Sequence, residues 1–462
     1  MNIKSVEEIK EITCDVAIIS KFENENTVCD KINEFLPECF TGKKNELFLF
    51  HNHKEAKSTY TLVVGLGKKE EVCEDTVRTA TFKAVKKCIE VKAKSIAIDF
   101  NLDKDFTLDT VVGVHCANYS FDKYKTKKSP RIEDVSIKGV TNLEKALQIV
   151  EGMTLTRDIA NEPAMFATPT KLAEIATSIQ GLETKIYEKE EIEKMNMGAY
   201  LAVAQGSDQA PKFIHMKYIP QNPKKRIAII GKGLCFDSGG LDIKPASSML
   251  TMKDDMSGAA CTLGLMQTIA KLRPDVEVHG IIAACENMPS GNAYKPGDIV
   301  RAKNGKTIEV DNTDAEGRLT LADALCYACE LEVDEVIDIA TLTGACLVAL
   351  GTAASGIMGN NDELTKDIIE AGKKAGEKFW ELPMWQEYRD NMNSDVADMK
   401  NTGTRYGGAS AAGMFLKEFV TDKVKWAHLD IAGTAFLESP TSIYCKGATG
   451  VGVRTLVNYI LK

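Results

Sequence analysis

Short apolar, β-branched runs alternate with helix-period segments along this whole chain, and that alternation confines it to an α/β architecture. Residues 14–20 (CDVAIIS), 59–67 (TYTLVVGLG) and 95–100 (SIAIDF) predict strands, with a helix over 77–91. Further on, residues 226–233, 276–285, 307–312, 334–341 and 425–433 predict strands, and 257–272, 316–331 and 408–420 predict helices. Fully apolar strands between helices imply a mixed, mostly parallel central sheet flanked by helices, with ligands gathered at the carboxyl ends of its strands.

A chain of 462 residues exceeds what one ordinary core accommodates, so two domains are expected. A long helical pattern from Asn142 to Ala160 is followed by Pro163 and Pro169, and the division is placed there. The expectation is a small N-terminal, macro-like α/β domain over 1–140, a connecting helix and linker over 141–168, and a larger α/β domain over 169–462. Thr168 and Pro169 read as the cap and first position of a helix.

Lys and Arg number 57 against 66 Asp and Glu, and the resulting net charge of −9 argues against nucleic acid or an anionic membrane as partner. The 13 cysteines are scattered through apolar contexts, which fits a reducing cytoplasm, and Cys326 with Cys329 reads as a pair of core thiols on one helix. The N-terminus has no apolar signal region. Residues 339–358 carry no charge over a membrane span's length, yet their Thr, Gly and Ala content predicts a buried strand and loop.

Chemistry concentrates in three Gly-rich segments at strand ends: residues 231–246 (GKGLCFDSGGLDIKPA), 252–260 (MKDDMSGAA) and 311–319 (DNTDAEGRL). Several carboxylates gathered where the only histidines are His215, His279 and His428 imply hard divalent cations. Asp237, Asp255, Asp314 and Glu316 together carry −4, which two dications offset, leaving Lys232 to bind as a neutral amine.

These three segments, in this order, resemble the leucyl aminopeptidase family of di-metal cytosolic aminopeptidases, from about Arg157 to the GATGVGVR of residues 447–454. The resemblance implies that Lys232 and Asp255 bind one metal, Asp314 the other, and that Asp237 and Glu316 bridge them. Asp255 is preferred to Asp254 because it directly precedes the Met-x-Gly-Ala-Ala pattern. Lys244 would sit over the scissile carbonyl oxygen, and Arg318 would hold a bicarbonate that shuttles protons. Met252, Thr341, Leu342 and Gly344 would bind substrate. Departures from the pattern, at Leu241, Asp242 and Asp254, fall between the key positions. The activity implied is release of N-terminal leucine and other apolar residues from peptides by water activated at two Mn2+ or Zn2+ ions, in a cytoplasmic homohexamer.

A two-metal phosphoesterase is the nearest alternative, but it would ordinarily add His ligands and no lysine. A serine hydrolase built on Ser238 lacks a nucleophile elbow and an accompanying histidine. A DNA-binding role, known among relatives, meets the unfavourable net charge.

Overall fold

The computed structural model describes residues 1–27, 30–52 and 57–462. It divides into two compact units, Met1–Val150 with Glu438–Lys446, and Glu151–Leu437 with Gly447–Lys462.

The first unit is built on β1 (Asn2–Val6), β2 (Cys14–Phe22), β3 (Leu47–His51), β4 (Ser58–Gly67), β5 (Ser95–Asp99) and β6 (Asp134–Lys138). They form one sheet in the order β1-β6-β5-β2-β4-β3. Every pairing is parallel except that of β3 with β4. Leu62, Val63 and Val64 are fully buried in succession, the unbroken apolar run of a strand covered on both faces. Helices Glu74–Glu90 and Thr107–Asn118 provide the crossovers from β4 to β5 and from β5 to β6.

The second unit holds an eight-stranded sheet. Its strands are β7 (Glu183–Tyr187), β8 (Lys212–Tyr218), β9 (Arg226–Asp237), β10 (Glu277–Asn287), β13 (Glu335–Ala340), β14 (Ser355–Gly359), β15 (Phe379–Glu381) and β17 (Lys425–Asp430). Between them in the chain, β11 (Ile299–Arg301), β12 (Thr307–Glu309) and β16 (Met399–Lys400) make a small separate sheet. The large sheet runs β15-β14-β17-β13-β9-β10-β8-β7. Its centre, β17-β13-β9-β10, is parallel, so the carboxyl ends of four strands open on one edge. The α/β expectation with a mixed sheet and parallel core is therefore borne out.

Helix Ser257–Leu272 packs on this core with almost every residue buried, which its Ala, Gly and Leu composition permits. Helix Gly317–Cys329 is equally enclosed, and Cys326 lies buried within it. Thr168 caps helix Pro169–Ser178 by accepting the backbone N–H of Lys171, as expected. Inside the sheet, Asp338 on β13 faces His428 on β17 in register and accepts from its Nδ1 side at 2.5 Å and from Trp426 Nε1 at 2.7 Å.

Two expectations need correction. The strand expected over 307–312 stops at Glu309, because β12 pairs with β16 only through Ile308 and Glu309 before the chain turns into the acidic loop. The uncharged run 339–358 is not simply a buried strand and loop. After β13 it forms a seven-residue helix, Gly344–Leu350, that leaves Leu347 and Val348 exposed at 42% and 88%. No helix among the described residues is long and apolar enough to cross a membrane.

Candidate metal centre

The carboxyl edge of the parallel core gathers the acids of all three segments. Asp237 ends β9, and Lys232 lies five residues earlier on the same strand. Asp255 follows a tight turn and precedes helix Ser257–Leu272, while Glu316 directly precedes helix Gly317–Cys329. Oxygens of Asp237, Asp255 and Glu316 lie within 4.8 Å of one another, and all three side chains are buried. Asp254 adds no oxygen to this group.

Two ammonium groups thread the cluster. Lys232 Nζ donates to Asp255 Oδ1 at 2.8 Å and to the Thr341 carbonyl at 3.0 Å, and it pairs with Glu316 Oε1 at 3.0 Å. Lys244 Nζ stands between Asp237 Oδ2 at 2.7 Å and Asp314 Oδ1 at 2.6 Å, which ties Asp314 to the buried acids. Lys232 can reach this position because residue 317 is glycine: a Cβ there would come within 2.4 Å of Lys232 Cε.

The electrostatics are those of crowded, desolvated anions. Burial raises the pKa of Asp255 well above its ordinary value, and Glu316 and Asp237 add to that. Burial and the charge of Asp237 likewise raise Glu316 and Asp314. Burial opposes the charge of Lys232, but Asp255, Glu316 and Asp237 together outweigh it and raise its pKa. The neutral amine expected from sequence is thus not what the protein's own charges produce; it depends on cations beside it. Asp255 Oδ2 and Glu316 Oε2 are buried with no hydrogen-bond partner among the described residues. Orphaned carboxylate oxygens in an anionic cage of hard donors fit divalent cations.

Residues expected to bind substrate lie near the same edge. Thr341 follows β13, and its hydroxyl donates to Asp255 Oδ1 at 2.8 Å. The Leu342 N–H donates to Asp430 Oδ1 at 3.3 Å, and Thr343 Oγ1 to Asp430 Oδ2 at 2.7 Å. Gly344 opens its helix in exposed, uncrowded backbone, and Met252 is half-buried in the turn before Asp255. Arg318 is buried; its Nη1 donates to the Asn401 carbonyl at 2.8 Å, while its Nε has no acceptor among the described residues. Burial lowers its pKa to about 10, so it stays charged at neutral pH.

Ser238 is no nucleophile: its hydroxyl is buried and donates to the Asn287 carbonyl at 2.7 Å. Four supporting residues were not singled out for a role from sequence. Asp430 holds the loop after β13. Asn401 clasps the acidic loop, accepting from the Asp311 N–H at 2.7 Å and donating to the Asn312 carbonyl at 2.7 Å. Asp242 accepts from the Thr313 N–H at 2.7 Å. Asn287 donates to Asp237 Oδ1 at 2.8 Å. An acid within a predicted apolar strand could have flagged Asp430; nothing local flags the asparagines.

Comparison with known proteins shows the family and fold to which the chain is similar. The profile of the cytosol aminopeptidase family, catalytic domain, matches residues 154–457, and that of its N-terminal domain matches residues 36–128. A probable cytosol aminopeptidase from a Sulfurihydrogenibium species is 48% identical over 425 residues, 88% of this chain and 84% of the relative. One from Persephonella marina is 47% identical over 442 residues, covering 91% and 89%. Among solved structures, a mutant of tomato leucine aminopeptidase superposes with a TM-score of 0.89 at 35% identity, over 100% of this chain and 96% of that one. A bottromycin maturation enzyme in complex with Mn gives 0.89 at 30% identity, over 97% and 99%.

Proposed function

This chain belongs to the cytosol aminopeptidase family and is a metal-dependent aminopeptidase acting on peptides; from that premise we propose that it preferentially releases N-terminal leucine and other apolar residues, with residues 169–462 as its catalytic domain. The observation that carries the assignment of roles is the buried trio Asp237, Asp255 and Glu316, joined to Asp314 through Lys244.

On this reading Lys232 and Asp255 would hold one divalent ion, Mn2+ or Zn2+, Asp314 would hold the other, and Asp237 and Glu316 would serve both. When bound, the ions supply a water of lowered pKa, polarise the scissile carbonyl and take the free α-amine of the substrate, which limits release to the N-terminal residue. Lys244 carries a charge that Asp237 and Glu316 stabilise against burial, and it donates to the carbonyl oxygen as that atom becomes an oxyanion. Arg318, whose buried Nε has no acceptor among the described residues, would hold bicarbonate as the proton carrier. Met252, Thr341, Leu342 and Gly344 contact the first residue of the peptide.

The family resemblance also supports a cytoplasmic homohexamer, and the exposed Leu347 and Val348 suit burial against another copy. The net charge of −9 counts against nucleic acid as a partner.

A panel of aminoacyl-anilides and a phosphate ester, assayed with Mn2+ or Zn2+ in bicarbonate-free and bicarbonate-containing buffer, tests this function. Leucyl-anilide hydrolysis that exceeds that of charged residues and rises with bicarbonate supports it. Phosphate-ester hydrolysis without peptidase activity refutes it.

A further inference from the structure

Asn287 stands at the end of β10, fully buried, with no place in the reaction as described so far. Its position depends on an irregularity in the sheet. Cys285 pairs with Leu234, but Glu286 pairs with Phe236, so Cys235 is an extra residue on β9. Regular pairing would have set Asn287 opposite Phe236. The bulge sets it opposite Asp237 instead, and in a period-two structure that one-residue shift decides which side chain meets it.

The side chain then makes two directed bonds. Asn287 Nδ2 donates to Asp237 Oδ1 at 2.8 Å and to the Thr313 carbonyl at 3.0 Å. Both partners are acceptors, so the amide orientation follows from them rather than from choice. The Asn287 backbone is fixed as well: its carbonyl accepts from the Ser238 N–H at 3.0 Å and from Ser238 Oγ at 2.7 Å. On the other side, its Oδ1 approaches Gly240 so closely that a Cβ there would lie 2.8 Å away.

Thr313 directly precedes Asp314. One amide group therefore couples the carboxylate at the end of β9 to the loop that presents the next acid, 77 residues downstream in the chain. We infer that Asn287 is a positioning residue of the metal centre, which fixes Asp237 relative to Asp314 and thereby sets the affinity for the divalent ions. This rests on the proposed roles of Asp237 and Asp314 as metal-holding residues. Groups that orient ligating carboxylates tune metal affinity by 10- to 100-fold without touching the ion. Loss of Asn287 still leaves both partner oxygens a donor: Gly239 N–H on Asp237 Oδ1 at 2.9 Å, and Tyr294 Oη on the Thr313 carbonyl at 2.7 Å. The fold should therefore survive the substitution.

The test is a titration of the chelator-stripped full chain with Mn2+ against a competing fluorescent chelator, with thermal unfolding of the stripped chain measured in parallel. The proteins are wild type, Asn287→Ala, Asn287→Leu and Asp255→Ala. Both Asn287 variants should unfold cooperatively and bind Mn2+ on the order of 10- to 100-fold more weakly, although leucine refills the lost volume. Wild-type affinity in either variant, recovery in Asn287→Leu alone, or loss of cooperative unfolding in both would overturn the inference. Wild-type affinity in Asp255→Ala would instead overturn the site assignment on which it rests.

Discussion

Asp242 and Thr313 form a reciprocal latch: the Asp242 carboxylate accepts from the Thr313 N–H at 2.7 Å and from its hydroxyl at 3.1 Å, while the Asp242 N–H donates to Thr313 Oγ1 at 2.9 Å. The latch fastens the loop carrying Lys244 to the loop carrying Asp314. Asp242→Ala leaves the Thr313 N–H without its acceptor, a loss of about 1–3 kcal/mol. The expected result is a fall in kcat on the order of tenfold with a smaller change in KM, and substantial recovery in Asp242→Asn, which keeps an acceptor oxygen. Steady-state kinetics on an aminoacyl-anilide read this directly; equal losses in both variants would contradict it.

Gly317 is required by Lys232 rather than by backbone conformation. A methyl group at position 317 would meet Lys232 Cε at 2.4 Å and Nζ at 2.7 Å. Lys232 is buried and held by two carboxylates, so it cannot swing aside without breaking an ion pair. Gly317→Ala should keep secondary structure by circular dichroism, since alanine favours a helix, yet lose most aminopeptidase activity. Full activity would show that Lys232 has slack that the packing does not reveal.

A buried chain of hydrogen bonds makes the fold sensitive to acid. It runs from Tyr187 Oη through Tyr327 Oη, at 3.0 Å, to His215 Nδ1 at 2.9 Å, then from His215 Nε2 to His279 Nδ1 at 2.9 Å and on to Glu277. Burial, aided by His279 and Lys217, lowers the pKa of His215 from 6.5 to about 3. Between those values the unfolded chain takes up a proton that the folded chain refuses. This contribution to stability is therefore intact above pH 6.5 and lost as pH falls toward about 3, by about 1.4 kcal/mol per pH unit at most. Urea unfolding in chelator at neutral and mildly acidic pH should show a shallower loss for His215→Gln than for wild type.

Much of this site was legible because its acids sit in short contiguous segments at strand ends. Lys232 and Asp237 share β9, while Glu316 and Arg318 flank the start of one helix, so local spacing already carried their relationship. Asn287, Asn401 and Asp430 were not legible as partners, since each reaches the site through pairing with a distant segment. For Asn287 that pairing also depends on a bulge at Cys235 that no local pattern announces. The same holds for the fold. The apolar central strands β9, β10, β13 and β17 were readable from their composition. The edge strands β7 and β15 owe their existence to neighbours, and helix Gly344–Leu350 appeared in a run whose small residues read equally well as loop.

If the buried acids hold two catalytic metal ions, removing the Asp255 carboxylate must cost both metal and activity. It contacts Lys232 and Thr341, and it brings an orphaned oxygen to the cluster. Elemental analysis and leucyl-anilide hydrolysis should be measured on wild type and Asp255→Ala. The expected result is two metal ions per wild-type chain, with lowered metal content and activity reduced on the order of 100-fold or more in the variant. Full activity with unchanged metal content in Asp255→Ala would contradict it.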